Sequence, residues 1–280
     1  MTNSQPSMPA RFELPARALS GVVLGAAAVG ALAWGGWLFS VFVGIAAIFA
    51  LREWHRLVNG GRLAREMLPT SLAIVAALCL IRLNVELGIA VTAILLGAGG
   101  AASMSALRSG AQRWPIPWHA FGAVYIGLPV LALVLLRDAP RGAAIVGGLF
   151  VAVWTTDTGA LLFGKLIGGP KLAPGLSPNK TWAGFIGGII AAAFAEALYV
   201  VLIGGNPLRG ITLGILLALA SHCGDLFESW VKRQFRAKNT GSLIPGHGGM
   251  LDRIDSVLFA APACAGLLFF SQLNPFGVIS

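Results

Sequence analysis

The sequence predicts an all-α, polytopic integral membrane helix bundle of about nine transmembrane helices, and three observations support this. The 280 residues are 56% hydrophobic and only 11% charged, with a mean hydropathy of +0.80, whereas roughly a quarter of the residues in soluble domains are charged. Long apolar runs recur along the chain, separated by short polar loops. The basic residues lie at the ends of these runs and not in one stripe. The net charge of +9 therefore indicates membrane topology and phosphate groups, and no nucleic acid.

The elements follow in chain order from hydropathy. Residues 1–17 are polar and predict a short N-terminal tail, and 18–280 form a single transmembrane domain. The spans are expected near 18–34, 36–51, 69–82, 87–104, 118–136, 142–163, 182–204, 210–228 and 254–274. The third is short for a full crossing and is expected to be tilted or partly buried. Small residues at Gly25, Gly97, Gly99 and Gly100 are expected to let helices pack closely.

The distribution of basic residues predicts the orientation of these spans. Nine crossings place the termini on opposite sides, and sixteen of the twenty Lys and Arg residues then fall on the N-terminal side. The four on the other side are Arg82, Arg137, Arg141 and Arg209. Because cytoplasmic loops carry the excess of Lys and Arg, the N-terminus and the polar clusters are expected to be cytoplasmic. We expect a polar cavity open to the cytoplasm.

The first polar cluster, residues 225–256, holds four of the eleven carboxylates and five of the twenty Lys and Arg residues. Four of its residues recur at helical spacing: Asp225, Glu228, Ser229 and Lys232. Asp252 and Asp255 are likewise three apart, so each of two helices would present carboxylates on one face. Two such helix ends facing each other are suited to a hard divalent cation.

The loop between these two helices adds glycines and basic residues. Gly246, Gly248 and Gly249 would let the backbone approach a ligand closely. The candidate phosphate-binding groups are Lys232, Arg233, Arg236, Lys238, His247 and Arg253. A metal beside basic residues and a glycine-rich loop is typical of phosphoryl or nucleotidyl transfer. The alternative is that the carboxylates and cations form structural ion pairs between helices.

The second polar cluster lies at residues 154–188. Asp157 and the three threonines around it interrupt an apolar run, so we expect them to face a wet cavity. The turn at 177–181 precedes a long helix, where hydroxyls, backbone N–H groups and Lys180 suit phosphate binding. An ordinary capped turn is the alternative.

Two further carboxylates need an explanation. Glu53 stands next to Trp54, His55 and Arg56, and we expect this group to be an interfacial cluster paired locally. Glu196 lies in the middle of an apolar span. It is expected either to make a structural hydrogen bond or to line the polar cavity.

Both polar clusters resemble the phosphatidate cytidylyltransferases (CDP-diacylglycerol synthases). The similarity rests on Ser229-x-x-Lys232-Arg233-x4-Lys238 followed by Pro245-Gly246-His247-Gly248-Gly249-x-x-Asp252-Arg253-x-Asp255. Upstream, Ser177-Pro178-Asn179-Lys180-Thr181 is similar to that family's Ser-Pro-x-Lys-Thr turn. One position departs from the pattern, because the family usually has Asp where this chain has Asn239.

This resemblance implies a reaction and a set of roles. CTP and phosphatidic acid, a membrane lipid, would give CDP-diacylglycerol and pyrophosphate with Mg²⁺, and 18–280 would be one catalytic domain. The implied metal ligands are Asp225, Asp252 and Asp255. The implied catalytic residues are Lys232, Arg233, Lys238, His247 and Arg253, and the implied substrate-binding residues are Ser177, Asn179, Lys180, Thr181, Ser229, Gly248 and Gly249. The expected location is the bacterial inner (plasma) membrane.

Other functions stay open on the sequence alone. One is a related lipid nucleotidyltransferase or lipid-alcohol kinase with a different acceptor, which would share the metal and phosphate groups. Another is a transporter, although the carboxylates cluster at one side of the membrane and are not spread through its depth. A paralogue with altered chemistry is a third, motivated by Asn239. A homo-oligomer and a second cation are also left open.

Overall fold

The computed structural model describes residues 10–109, 113–237, 239–241, 243 and 248–270, and the side chains within these ranges except those of 10–20, 109 and 270. Helices make up most of these residues. They are α1 (Ala10–Trp34), α2 (Gly36–Val58), α3 (Met67–Arg82), α4 (Leu87–Ser109), α5 (Pro115–Asp138), α6 (Gly142–Leu166), α7 (Trp182–Leu202), α8 (Pro207–Gln234) and α9 (Leu251–Phe270).

Each expected span corresponds to one of these helices, so the prediction of a helical membrane protein is confirmed. Within the described ranges, six helices are long and apolar enough to cross a membrane: α2, α4, α5, α6, α7 and α8. The apolar part of α1, Gly21–Trp34, is shorter, and so is α3 with its 16 residues. The length of α3 agrees with the expectation that the third span is short for a full crossing.

The helices pack in two groups that meet at α5. Helices α2 to α5 pack on one another, α6 to α9 do the same, and α9 lies against α5. Aromatic rings fill the junction, with the Tyr125 ring centroid 5.1 Å from those of both Trp54 and Phe227. Helix α5 is the most buried of the six, since its apolar residues from Ala123 to Leu136 lie mostly in the core. As a result, one end of α8 and one end of α9 lie where the two groups of helices meet.

Glycines allow α6, α7 and α8 to approach each other closely. A Cβ atom on Gly159 would lie 2.6 Å from that of Ala191, and one on Gly188 would lie 2.8 Å from the Thr156 carbonyl oxygen. The expectation of close packing is also confirmed at Gly97, where a Cβ would lie 2.3 Å from that of Ala73. It is not met at Gly25 and Gly99, because no atom of the described residues outside their own helices lies within 4 Å of a Cβ added at either position.

The connection between α6 and α7 is a β-hairpin and not a simple turn. Strand β1 (Lys171–Ala173) pairs antiparallel with β2 (Ser177–Thr181). Thr181 ends the hairpin and is the N-cap of α7, where its side-chain oxygen accepts a 3.1 Å hydrogen bond from the Gly184 amide. The hairpin therefore fixes the 177–181 segment at the start of α7.

The crossing of α8 and α9 should be sensitive to one added methyl group. A Cβ on Gly224 would lie 2.5 Å from the Asp255 carbonyl oxygen, so Gly224→Ala must push the two helices apart. Overpacking of this kind costs about 1–3 kcal/mol, and we expect a clearly lower thermal unfolding midpoint in detergent. Gly99→Ala is the matched control, because it adds the same methyl to a helix with open space around it. Equal midpoints for the two variants would contradict the close crossing.

Candidate active site

A cavity of about 1060 Å³ lies between α6, α7, α8, α9 and the hairpin. It is lined by predicted site residues from both polar clusters, which are far apart in the sequence. Those residues are Asn179, Lys180, Thr181, Asp225, Lys232, Gly248, Asp252, Arg253 and Asp255. The fold thus brings together the 177–181 segment and the carboxylate-bearing parts of two helices.

Helix α8 supplies one wall of the cavity. His222, Asp225, Glu228 and Lys232 line it from a single helical face. His222 is buried, and its Nε2 lies 3.2 Å from the Phe185 carbonyl oxygen of α7. The imidazole therefore joins α7 to α8 beside the cavity.

Lys232 joins the carboxylates of α8 and α9. Its ammonium donates to Glu228 Oε2 at 2.5 Å, one helical turn back, and to Asp252 Oδ1 at 2.9 Å on α9. Glu228 is only 2% exposed. Because a buried carboxylate is costly without a partner of opposite charge, this lysine stabilises both helix ends.

Asp252 also holds the loop that precedes α9. Its Oδ2 accepts hydrogen bonds from the Thr240 amide at 3.2 Å and from the Gly249 amide at 2.9 Å. Burial alone would raise the pKa of Asp252, but the Lys232 ammonium and the Gly249 amide outweigh burial and hold that pKa below its usual range. The side chain is therefore an ionised carboxylate at neutral pH.

A second ion pair links the hairpin to α8. The Lys180 ammonium contacts Asp225 Oδ2. The carboxylates of Asp157 on α6 and Asp255 on α9 both interact electrostatically with that of Asp225. Three helices therefore bring negative charge to one side of the cavity, with Lys180 beside it.

No group of three or more His, Cys, Asp or Glu side chains is arranged to hold a metal ion among the residues described. Among the carboxylates that line the cavity, Glu228 has a buried oxygen, Oε1, without a hydrogen bond to any described residue. Carboxylate oxygens are the ligands that hard divalent cations prefer. Glu228 and the neighbouring aspartates thus have the donor chemistry for a cation.

Several predicted residues lie beside the main cavity. A pocket of about 260 Å³ is lined by Ser177, Ser229 and Arg233, and it shares Asn179 and Lys232 with the main cavity. The Arg233 guanidinium donates from Nε to the Leu176 carbonyl oxygen at 3.2 Å. Ser177, Ser229 and Arg233 are thus grouped around the hairpin and the end of α8.

The remaining predicted residues have different outcomes. Lys238 and His247 lie outside the described residues, as do Pro245 and Gly246. Gly248 lines the cavity with a φ of 83°, a backbone conformation that favours glycine. The close approach at Gly249 is to a side chain of the protein itself, because a Cβ there would lie 2.4 Å from Glu53 Oε2.

The threonines around Asp157 do not need the wet surroundings that we expected. The hydroxyls of Thr155, Thr156 and Thr158 donate to carbonyl oxygens one turn back in α6, at 2.6, 2.7 and 2.7 Å. Hydroxyl groups can satisfy themselves on their own helix in this way, whereas a carboxylate cannot. Accordingly, Asp157 lines the cavity, but none of the three threonines does.

Glu53 is a buried residue whose contacts with the loop before α9 the sequence interpretation missed. Local pairing is wrong for this side chain, which is 4% exposed and accepts a 2.8 Å hydrogen bond from the Leu251 amide. Its Oε2 also accepts from the Thr240 hydroxyl at 3.3 Å. The only available signal was a carboxylate at the end of an apolar span, and nothing in the sequence pairs it with a loop almost two hundred residues away.

Glu196 does not line the cavity. It is fully buried, and neither carboxylate oxygen has a hydrogen-bond partner within the described residues. A Cβ on Gly148 of α6 would lie 2.6 Å from Glu196 Oε1. Both expectations for this residue are therefore wrong.

The fold and the site together define a polytopic membrane protein whose cavity combines carboxylates with lysine and arginine. A family model described as "Cytidylyltransferase family" matches residues 15–271. The phosphatidate cytidylyltransferase of Brucella suis biovar 1 is 38% identical over 277 aligned residues, which cover 92% of this chain and 98% of the relative. That of Staphylococcus aureus strain COL is 35% identical over 245, covering 85% and 92%. The chain belongs to the cytidylyltransferase family.

The Lys232 bridge makes a prediction about stability. Lys232→Met leaves two mostly buried carboxylates facing each other without a cation, and breaking a buried pair in this way typically costs about 3–5 kcal/mol. We expect a lower thermal unfolding midpoint in detergent. Adding Glu228→Gln removes one of the two charges and should restore part of that midpoint. An unchanged midpoint in the single variant, or no recovery in the double variant, would show that the bridge does not stabilise the helix ends.

Proposed function

We propose that this protein transfers the cytidylyl group of CTP to phosphatidate, giving CDP-diacylglycerol and pyrophosphate. The observation that carries the proposal is the cavity in which Lys180 and Thr181 of the hairpin meet Asp225 of α8 and Asp252 and Arg253 of α9. Several residues of that cavity come from the two segments that resemble the family signature, among them Lys180, Thr181, Asp252 and Arg253. Relatives named phosphatidate cytidylyltransferase align with most of the chain.

This reaction requires neutralisation of the negative charges on its two substrates more than it requires a general base. An oxygen of the phosphatidate phosphate forms a bond to the α-phosphorus of CTP, and the bond from that phosphorus to the β-phosphate oxygen breaks, so pyrophosphate leaves. The attacking oxygen is already anionic. The protein therefore has to hold two polyanions together in line, which is mainly positioning and electrostatics.

The basic residues of the cavity suit that task. Lys180 lies at the end of the hairpin, where Thr181 caps α7, so a phosphate there would also meet the positive end of a helix. Arg253 is exposed on the first turn of α9 and lines the cavity. We assign these two residues to phosphate oxygens, together with Lys232 and, at the smaller pocket, Arg233. Lys238 and His247 stay in the proposed set on the resemblance alone.

Mg²⁺ is the proposed cofactor, because the cavity is lined by carboxylates, whose oxygens are the ligands that hard divalent cations prefer. Asp225 and Asp255 interact with each other, and Glu228 Oε1 is a buried oxygen without a hydrogen bond in the described residues. Asp252 already accepts bonds from Lys232, Thr240 and Gly249, so its share in metal binding uses the remaining lone pairs. When bound, Mg²⁺ would neutralise charge on the triphosphate and polarise its phosphorus.

We place the cavity on the cytoplasmic side of the bacterial inner membrane. The sixteen-to-four division of basic residues supports this orientation, and CTP is found in the cytoplasm. The acceptor would come from the membrane itself, since the outer faces of α6 and α7 beside the cavity are apolar and exposed, as at Leu161 and Ile186. Whether the enzyme works as a homo-oligomer is a separate question from this assignment.

The reaction itself gives the first functional prediction. Purified protein in mixed micelles should release pyrophosphate only when CTP, phosphatidate and Mg²⁺ are all present, and EDTA should stop the release. ATP, GTP and UTP in place of CTP, and a polyprenyl alcohol in place of phosphatidate, are the controls. Pyrophosphate release with ATP and the alcohol would instead indicate a related nucleotidyltransferase, whereas formation of ADP without pyrophosphate would indicate a lipid-alcohol kinase.

A substitution of Asn239 tests whether this protein is an active enzyme or a paralogue with altered chemistry. This residue is exposed and lines the cavity, so its amide can hydrogen-bond a substrate without adding charge. We expect the wild-type protein to be active and Asn239→Asp to change kcat/KM by less than about tenfold, or 1.4 kcal/mol. An inactive wild type that Asn239→Asp activates would show that this position had lost the chemistry.

We expect the loss of the Asp225 carboxylate to lower turnover much more than the loss of a carboxylate outside the cavity. Asp225→Asn keeps the shape of the side chain but removes the charge that Lys180 and the proposed cation share, so we expect kcat to fall by about 100-fold or more. Asp138→Asn is the matched control, because Asp138 pairs with Arg82 outside the cavity. Wild-type turnover in Asp225→Asn, or equal losses in the two variants, would remove Asp225 from the proposed site.

A further inference from the structure

We propose that Glu53 is a positioning residue of the active site, which sets the loop before α9 and with it Asp252 and Arg253. This inference rests on the proposed function for its kinetic consequence. Glu53 itself does not line the cavity. It acts through residues 198 positions further along the chain, because its partner in the first turn of α9 is the Leu251 amide.

The carboxylate of Glu53 closes the start of α9. The first N–H groups of a helix have no partner within the helix, and Glu53 Oε2 accepts the one from Leu251 at 2.8 Å. A negatively charged side chain at this position also interacts favourably with the positive end of the helix dipole. Asp252 and Arg253 follow directly, so the direction in which α9 begins determines where both side chains reach the cavity.

Glu53 and Asp252 hold the same loop from two sides. The Thr240 hydroxyl donates a hydrogen bond to Glu53 Oε2 at 3.3 Å, and the Thr240 amide donates one to Asp252 Oδ2 at 3.2 Å. The Gly249 amide donates a hydrogen bond to Asp252 Oδ2 at 2.9 Å. The space between Gly249 and Glu53 is too small for a Cβ atom. A Cβ on Gly241 would likewise lie 2.4 Å from Glu53 Oε1. A shift of the Glu53 carboxylate must therefore move the backbone that Asp252 binds.

Helix α2 holds Glu53 rigidly. The next residue, Trp54, is fully buried and donates from Nε1 to the Trp118 carbonyl oxygen of α5 at 2.8 Å. His55 lies 2.7 Å from His119 of α5, between their Nδ1 atoms, and 3.0 Å from the Thr70 hydroxyl of α3. These two residues anchor α2 to α3 and α5 directly beside Glu53, and they thus fix the position of its carboxylate.

The test compares Glu53→Gln with Glu66→Gln. Glu66 is an equally buried carboxylate, 3% exposed, but it pairs with Arg108 away from the loop. Gln has one acceptor oxygen and an amide group for which Gly241 and Gly249 leave little room. We expect Glu53→Gln to lower kcat for CTP-dependent pyrophosphate release at least about tenfold, with KM for CTP changed less than about threefold, at a thermal midpoint similar to that of Glu66→Gln. Glu66→Gln should keep near wild-type kcat.

Amide hydrogen exchange provides a second measurement that does not need turnover. In Glu53→Gln, exchange should accelerate at Thr240, Gly249 and Leu251, while the amides of α8 keep their protection. Exchange that is unchanged at those three amides, or a kcat no lower than that of Glu66→Gln, would overturn the proposal. If the wild-type protein shows no reaction with CTP and phosphatidate, the proposed function fails, and the exchange result still decides whether Glu53 positions the loop.

Discussion

The ammonium group of Lys232 is the contact on which the site depends most. It lies between Glu228 of α8 and Asp252 of α9, and Asp252 in turn binds two amides of the preceding loop. One cation therefore compensates the charges of two helix ends and fixes the loop between them. Without it, two carboxylates with little access to water would repel each other at a crossing where Gly224 already allows the closest approach.

The apolar surroundings explain why the site is built from so few charges placed so close together. A charge inside a membrane protein must be paired or face a watery space, and only 11% of the residues are charged. Within the described residues, five carboxylates from α6, α8 and α9 line one cavity together with lysines from α6, α8 and the hairpin. This concentration of charge gives a cavity in which phosphate groups and a cation can be bound.

Much of the fold could be predicted from the sequence, because apolar runs and polar loops alternate clearly along the chain. The resemblance also suggested that both polar segments serve one site, but nothing in the sequence indicated the ion pair between Lys180 and Asp225. The hairpin could not be predicted, because strands of three and five residues leave no periodic pattern. Glu53 could not either, since its partners are set by how α2 packs on α9 and not by local spacing.

Two of the cavity lysines, Lys180 and Lys232, differ in their partners, and this difference indicates which of them stabilises the fold and which can bind a substrate. Lys232 is held by two carboxylates, one of them almost fully buried, and its loss would leave those charges uncompensated. Lys180 has one carboxylate partner, Asp225, whose side chain is 34% exposed. Because this pair is less buried than the two pairs that Lys232 makes, Lys180 can exchange its partner for a phosphate at a smaller cost than Lys232 can. Lys232 is therefore the fixed part of the site, and Lys180 is the lysine better placed to receive an incoming phosphate.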